Sequence, residues 1–337
     1  MTLSRRAFLK LSGAGLATSV FPLPPEEALR PINALGRAAR TIPVRERPSA
    51  QAKETGLLRA DTVFNIYETV ESAEESYNRQ WHAVQGGFVY SGNVQPVKWK
   101  LQQPSLDLPP TGFLGEITVP YTSARAWHTP PSTEVHRLYY GTTYWVTQAK
   151  TNAAGEIWYR ITDDRNQQLY WALGRHVRRV APEEINPIAP DITDKRIEVD
   201  LAQQTFRCYE NGTLVLDTLC STGTYLRTEG GRRIYGTPAG EWAIMRKRPT
   251  RHMAGDDAAS ADFFDLPGVP WVSYFHWWGT AVHGTYWHND FGAPHSHGCL
   301  NLPSELAKWV FRWTAPHPSA LEEQTLAEGN GTSLTVY

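Results

Sequence analysis

Twice in this chain, apolar residues fall into runs of strand length between turn signals, in the same order. In the first copy Val44-Arg45-Glu46-Arg47-Pro48 leads in, residues 62–70 alternate, Trp81-His82-Ala83-Val84 follows and Gly86-Gly87-Phe88-Val89-Tyr90 closes. In the second, residues 119–124 lead in, residues 142–147 alternate, Trp158-Tyr159-Arg160-Ile161 follows and Leu169-Tyr170-Trp171 closes. Val94-Gln95-Pro96-Val97 and Val177-Arg178-Arg179-Val180 end the two copies alike. A period of two belongs to strands, and several short strands within about 60–70 residues predict a small barrel in each copy. The chain is therefore expected to be mainly β.

Proline-rich stretches at 104–110 and 182–190 separate the copies from each other and from the C-terminal remainder of the chain. The expected parts are a leader and linker over 1–36, β modules over 40–100 and 112–184, and a larger domain over 194–337. A length of 337 residues suits two or three domains, and 41% apolar residues allow a sizeable core. The modules resemble bacterial SH3-like modules, which implies wall-peptide binding or a spacer role by analogy of fold.

A formal net charge of −1 argues against a nucleic-acid binder. Ser4-Arg5-Arg6-Ala7-Phe8-Leu9-Lys10 precedes a modestly apolar run over 11–23 and resembles a twin-arginine export signal. The run is short for a spanning helix. Ala34-Leu35-Gly36 has small residues suited to cleavage but lies far downstream, so an uncleaved signal acting as a membrane tether is also open. The resemblance implies an extracytoplasmic protein. Nothing in the sequence specifies an oligomeric state.

Three cysteines, Cys208, Cys220 and Cys299, do not suggest a disulfide framework. Asn211-Gly212 reads as a two-residue hairpin turn. Counting outward from it sets Cys208 against Val215 and Cys220 against Gln203, so the two cysteines are not expected to pair.

From residue 194 the pattern is again strands: Arg196 to Leu201, the hairpin, Ser221-Thr222-Gly223, Thr237-Pro238-Ala239-Gly240 continuing to Met245, and runs over 268–274 and 280–282. Residues 246–266 read as an irregular segment. One helix is expected after Pro303-Ser304-Glu305, with Leu306, Trp309, Val310 and Trp313 on its buried face and Pro316 as its stop. Residues 332–337 read as a final strand.

The densest chemistry lies in His283-Gly284-Thr285-Tyr286-Trp287-His288, followed by His295-Ser296-His297-Gly298-Cys299-Leu300-Asn301. A cysteine amid histidines suits a thiol nucleophile with an imidazole base. Gly298 permits a tight turn that would aim its N–H and that of Cys299 at an oxyanion. A hydrolytic cysteine peptidase would use the same groups. A zinc site lacks a trusted ligand spacing, and a structural thiol remains the bland alternative.

The His283-Gly284-Thr285 and Ser296-to-Asn301 runs, with Ser221-Thr222-Gly223 and Thr237-Pro238-Ala239-Gly240 upstream, resemble the signature of the YkuD-type L,D-transpeptidases over about residues 194–337. That resemblance implies a β-sandwich-like catalytic domain with one main helix and no cofactor or metal. It implies peptidoglycan stem peptides as substrate, with Cys299 as nucleophile, His283 as general base and His297 shaping the acyl or oxyanion pocket. The Gly284 carbonyl would orient His283, Gly298 and Ser296 would serve the oxyanion site, and Trp287 and Asn301 would meet substrate. An L,D-carboxypeptidase, or a wall-binding protein with an inactive domain, is the alternative. Tyr286 and His288 receive no role, His295 reads as loop filler, and His252 reads as a surface histidine or part of a lid. The aromatic run 271–278 is expected to wall the groove or fill the core.

Overall fold

A computed structural model describes residues 34–74, 76–224, 236–255, 263–317, 323–327 and 331–337, all within one compact unit. The twin-arginine reading of residues 4–23 lies outside the described residues.

The first repeat comprises β1 (Ala34–Ala38), β2 (Ile42–Arg45), β3 (Glu54–Leu58), β4 (Val63–Ile66), β5 (Glu68–Glu71), β6 (Gln80–Val84), β7 (Gly87–Tyr90) and β8 (Val94–Val97). The second comprises β9 (Phe113–Ile117), β10 (Tyr121–Arg125), β11 (Glu134–Tyr139), β12 (Thr143–Thr151), β13 (Ile157–Thr162), β14 (Leu169–Leu173) and β15 (Val177–Arg179). The second forms one sheet in the order β11-β10-β14-β13-β12-β9-β15, and the first has β3-β2-β7-β6-β5 and β4-β1-β8. Because β4 and β5 together take the place of β12, the two orders are the same. The repetition seen in the sequence is thus one of topology. Residues 34–38, expected to be linker, form β1 between β4 and β8. An added Cβ on Gly36 would lie 2.7 Å from Val94, so only glycine allows that close packing.

The rest of the chain builds two five-stranded sheets. The first holds β16 (Lys195–Asp200), β17 (Thr205–Glu210), β18 (Thr213–Leu219), β19 (Gly240–Ala243) and β25 (Ser333–Val336); the second holds β20 (Arg246–Ala254), β21 (Asp265–Tyr274), β22 (Ala281–Thr285), β23 (Leu300–Pro303) and β24 (Thr325–Leu326). Helix α1 (Ser304–Trp313) follows β23 directly. One core joins Val199, Phe206 and Leu334 of the first sheet to Val282 and Leu302 of the second and to Val310 and Phe311 of the helix.

Three expectations change here. Residues 246–254 are not irregular: they form β20, which pairs antiparallel with β21. The buried face of α1 carries Ala307, Val310, Phe311 and Trp313, while Leu306 and Trp309 are only partly buried. A bulge between Cys208 and Tyr209 moves the hairpin register, so Cys208 faces Leu216 instead of Val215. Cys208 and Cys220 are free and buried as expected, and burial pushes the Cys220 thiol up to about 12.

Candidate active site

Parallel pairing of β22 with β23 sets Val282 beside Leu300 and His283 beside Asn301. Cys299 enters β23 one residue earlier, alongside the strand that carries His283. Both residues line one cavity of about 590 Å³, together with Ser296, His297, Trp287, Asn301, Tyr274, Trp278 and His252. Arg165, Arg246 and Arg251 line the same cavity, which gives it a basic rim.

The motifs scattered in sequence meet at the loop that carries Cys299. Ser221 N–H donates to the Asn301 carbonyl and Asn301 N–H donates back to Ser221. The Thr222 carbonyl accepts the N–H groups of His295 and Ser296. Thr237 Oγ1 accepts from Gly223 N–H and donates to the Gly298 carbonyl, both at 2.9 Å. Ser296 Oγ donates to the Cys299 carbonyl at 2.6 Å and accepts from Gly298 N–H at 3.0 Å. The last contact already engages one of the two amides expected at an oxyanion site. Gly298 has φ +144°, a conformation side-chain-bearing residues rarely adopt, so this tight turn needs glycine.

His283 is 2% exposed, and its Nδ1 lies 3.1 Å from the Gly284 carbonyl. An N–H at Nδ1 donates to that carbonyl, which leaves Nε2 with a free lone pair able to accept a proton. Burial lowers the imidazole to about 4, against a small opposing effect from the Gly284 carbonyl. Burial also raises the Cys299 thiol, to about 11. The resting pair is therefore thiol and neutral imidazole. A thiol in that state can attack only if its proton leaves as the new bond forms. Gly284 is also required for packing, since an added Cβ would lie 2.8 Å from Ser304 Oγ.

The remaining histidines separate by environment. His297 is exposed and stacks near Phe264, with ring centroids 4.7 Å apart. His288 is buried; its Nδ1 accepts from Asp290 N–H at 3.1 Å, so the neutral ring carries its proton on Nε2. That nitrogen lies 2.9 Å from the Asn301 amide nitrogen, while Asn301 Oδ1 has no partner among the described residues. Turning the amide converts a donor–donor contact into a hydrogen bond and frees the NH2 as a donor. His295, expected to be loop filler, donates from Nε2 to Asp290 Oδ2 at 3.0 Å and stacks on His288.

His252 is neither a surface residue nor in an irregular segment. It is buried on β20, with Nδ1 2.6 Å from Asp163 Oδ2 and Nε2 2.5 Å from Asp265 Oδ1. Burial alone would lower this imidazole, but hydrogen bonds and charge from the two carboxylates outweigh it and raise it. The aromatic run divides: Trp271 and Phe275 are core, while Trp278 is 76% exposed and lines the cavity. Among the described residues no group of three metal-ligating side chains forms a metal site.

Residues 194–332 match the family model of YkuD, the L,D-transpeptidase catalytic domain. Among solved structures, a mutant of the Enterococcus faecium L,D-transpeptidase matches at 24% identity over 44% of this chain and 51% of that one, with a TM-score of 0.32. The catalytic domain of an E. faecium L,D-transpeptidase matches at 24% identity over 43% and 97%, with a TM-score of 0.31. An L,D-transpeptidase from Mycobacterium smegmatis matches at 16% identity over 54% and 90%, with a TM-score of 0.33. The chain spans about half the length of the first solved chains it matches. No curated protein matches it. The family match takes in both Cys299 and His283 and so the cavity they share.

Proposed function

We propose that this chain is an exported peptidoglycan L,D-transpeptidase. The observation that carries the reading is the convergence of Cys299 and His283 on one cavity, within the family match, from adjacent parallel strands. His283 Nε2 takes the proton of the Cys299 thiol as sulfur attacks the carbonyl carbon joining diaminopimelate to the terminal D-alanine of a tetrapeptide stem. The tetrahedral oxyanion is met by the Cys299 N–H. As the C–N bond breaks, the imidazolium returns the proton to the leaving D-alanine amine, and a thioester remains. The side-chain amine of an acceptor stem then attacks the thioester and gives its proton to His283. Collapse expels sulfur, which is reprotonated, and a three-to-three cross-link results.

The energy of the cleaved amide is held in the thioester, so no nucleotide is consumed. Arg165, Arg246 and Arg251 suit the carboxylates of a stem peptide. Trp287, Trp278 and His297 wall the acyl site, and the Asn301 amide donates to the bound stem. The two β repeats act as SH3-like modules facing the wall. Export follows the twin-arginine route, so Arg5→Lys with Arg6→Lys should hold the protein in the cytoplasm.

Incubation with disaccharide-tetrapeptide and mass spectrometry of the products tests the proposal. Cross-linked dimer that disappears in Cys299→Ala is expected. Tripeptide alone would make the enzyme an L,D-carboxypeptidase, and no turnover with no Cys299 adduct would make it a wall-binding protein.

A further inference from the structure

Three contacts with the first repeat anchor the segment between His283 and Cys299. Arg37, on β1 and 2% exposed, donates from Nη2 to the Tyr286 carbonyl at 2.6 Å. Its Nε donates to Gln95 Oε1 at 2.9 Å and its Nη1 to Asp61 Oδ1 at 2.6 Å, and its guanidinium lies 4.1 Å from the Tyr139 ring centroid. Asn289 N–H donates to the Gly92 carbonyl at 2.9 Å. The third anchor is Asp290, 5% exposed.

A carboxylate this buried is expensive unless donors surround it. Asp290 has four side-chain donors: Tyr90 Oη at 2.6 Å, Tyr77 Oη at 2.8 Å, Asn78 Nδ2 at 3.2 Å and His295 Nε2 at 3.0 Å. Burial alone would raise its pKa, but these hydrogen bonds hold it below the usual carboxylate range. Three of the donors belong to the first repeat and the fourth to the nucleophile loop. An added Cβ on Gly92 would meet Asp290 Oδ1 at 2.5 Å, so the fit leaves no slack there.

Between the anchors at 286 and 289–290 lie Trp287 and His288. The Trp287 ring packs on His283, with centroids 5.7 Å apart, and His288 holds the Asn301 amide. Whatever displaces the anchors displaces these two side chains, and with them the wall of the base and the amide beside the nucleophile.

We infer that Asp290 is a positioning residue through which the first repeat holds the active site in register, so the repeat is a working part of the catalytic unit and not a detachable tether. The inference rests on the transpeptidase reading for its substrate. The geometric claim concerns Cys299 and His283 alone. A latch that only added stability would change melting and leave the chemistry untouched in folded protein. A positioning role changes the rate of the bond-forming step.

The test uses the full chain at 20 °C, with circular dichroism to establish that each variant is folded. Two rates are read by mass spectrometry: acylation of Cys299 by a carbapenem over a concentration series, and alkylation of Cys299 by iodoacetamide. The variants are Asp290→Asn, the pair Tyr77→Phe with Tyr90→Phe, and all three together. Each is expected to slow both reactions about tenfold, with half-saturation by the carbapenem unchanged. The combined variant should be no slower than either parent, because one interaction is being removed twice. Unchanged rates in a folded Tyr77→Phe/Tyr90→Phe protein, or losses that multiply in the combined variant, overturn the inference. Slowed alkylation in every variant, with no carbapenem acylation even of the unaltered chain, keeps the positioning role and removes the transpeptidase reading instead.

Discussion

Thr237 donates its hydroxyl hydrogen to the carbonyl of Gly298, the residue before Cys299, at 2.9 Å. The same oxygen accepts from Gly223 N–H. One side chain therefore ties two remote motifs to the turn that presents Cys299.

Thr237→Val keeps the shape and removes both bonds. It leaves the buried Gly223 N–H and Gly298 carbonyl unpaired, at a cost of about 1–3 kcal/mol each. We expect a clear fall in melting temperature and about a tenfold loss in the rate of Cys299 acylation. Thr237→Ser, which restores the oxygen, should recover most of both. Calorimetry and acylation kinetics check this, and equal behaviour of the Val and Ser variants would remove the hydroxyl from the account.

How much of this was legible depended on where each residue's partners lie. Cys299, His283, Gly298 and Thr237 could be picked out because their types and order belong to short motifs. Residues 246–254 hid their strand because Arg246-Lys247-Arg248-Pro249-Thr250-Arg251-His252 shows no apolar alternation. Their partners are in the second repeat: Asp164 takes Arg248 and Arg251, and Asp163 takes His252. Residues 34–38 looked like linker because Ala-Leu-Gly-Arg-Ala is small and mixed, yet smallness is what close packing against Phe64 and Val94 requires. Asp290 carried no local signal at all, since three of its four side-chain donors lie some two hundred residues earlier.

The His252 bridge predicts a pH-dependent contribution to stability. The ring is faced by Asp163 and Asp265, by the His136 ring at 5.7 Å, and by the Asp164 carboxylate on its backbone N–H; Arg165 and Arg251 flank those carboxylates. Its folded-state pKa is raised above the ordinary 6.5. The stabilisation is thus fully present below pH 6.5 and is lost as pH rises through the raised value. The melting temperature of the unaltered chain should exceed that of His252→Gln by most near pH 6, with the gap closing toward pH 9. A gap independent of pH would mean the ring is held neutral.

Other buried histidines act in the opposite sense. Burial lowers His82 and His283 to about 4 and His288 to about 3. Below pH 6.5 the unfolded chain binds protons at these positions and the folded chain does not, so stability falls as pH drops from 6.5 toward 4. Urea denaturation at pH 7, 6, 5 and 4 should show the decline. His82→Gln should remove the His82 share of the decline: among the described residues its buried Nε2 has no partner, and its one side-chain contact is Nδ1 to Thr69 Oγ1 at 2.9 Å.

The last prediction concerns the helix that follows Cys299. Lys247, fully buried on β20, donates from Nζ to the carbonyls of Phe311 at 2.8 Å and Thr314 at 2.5 Å. Lys195 donates to the Trp313 carbonyl at 2.9 Å. Two lysines from different sheets thus satisfy carbonyls at the C-terminal end of α1, where the helix itself supplies no donors and its dipole favours cations. Burial pushes the Lys247 ammonium well down, and the nearby Lys195 charge pushes it further the same way. Lys247→Met fills the space and leaves two buried carbonyls unpaired, so it should cost about 3 kcal/mol at pH 7. The sign of its pH dependence follows from the lowered pKa. Between that value and 10.5 the unfolded chain carries the proton and the folded chain does not, so the stability of the unaltered protein rises with pH across this window. The Met variant lacks that rise. Denaturation from pH 7 to 10 should therefore show the difference between the two proteins widening. A constant or narrowing difference would mean that Lys247 stays charged in the folded core.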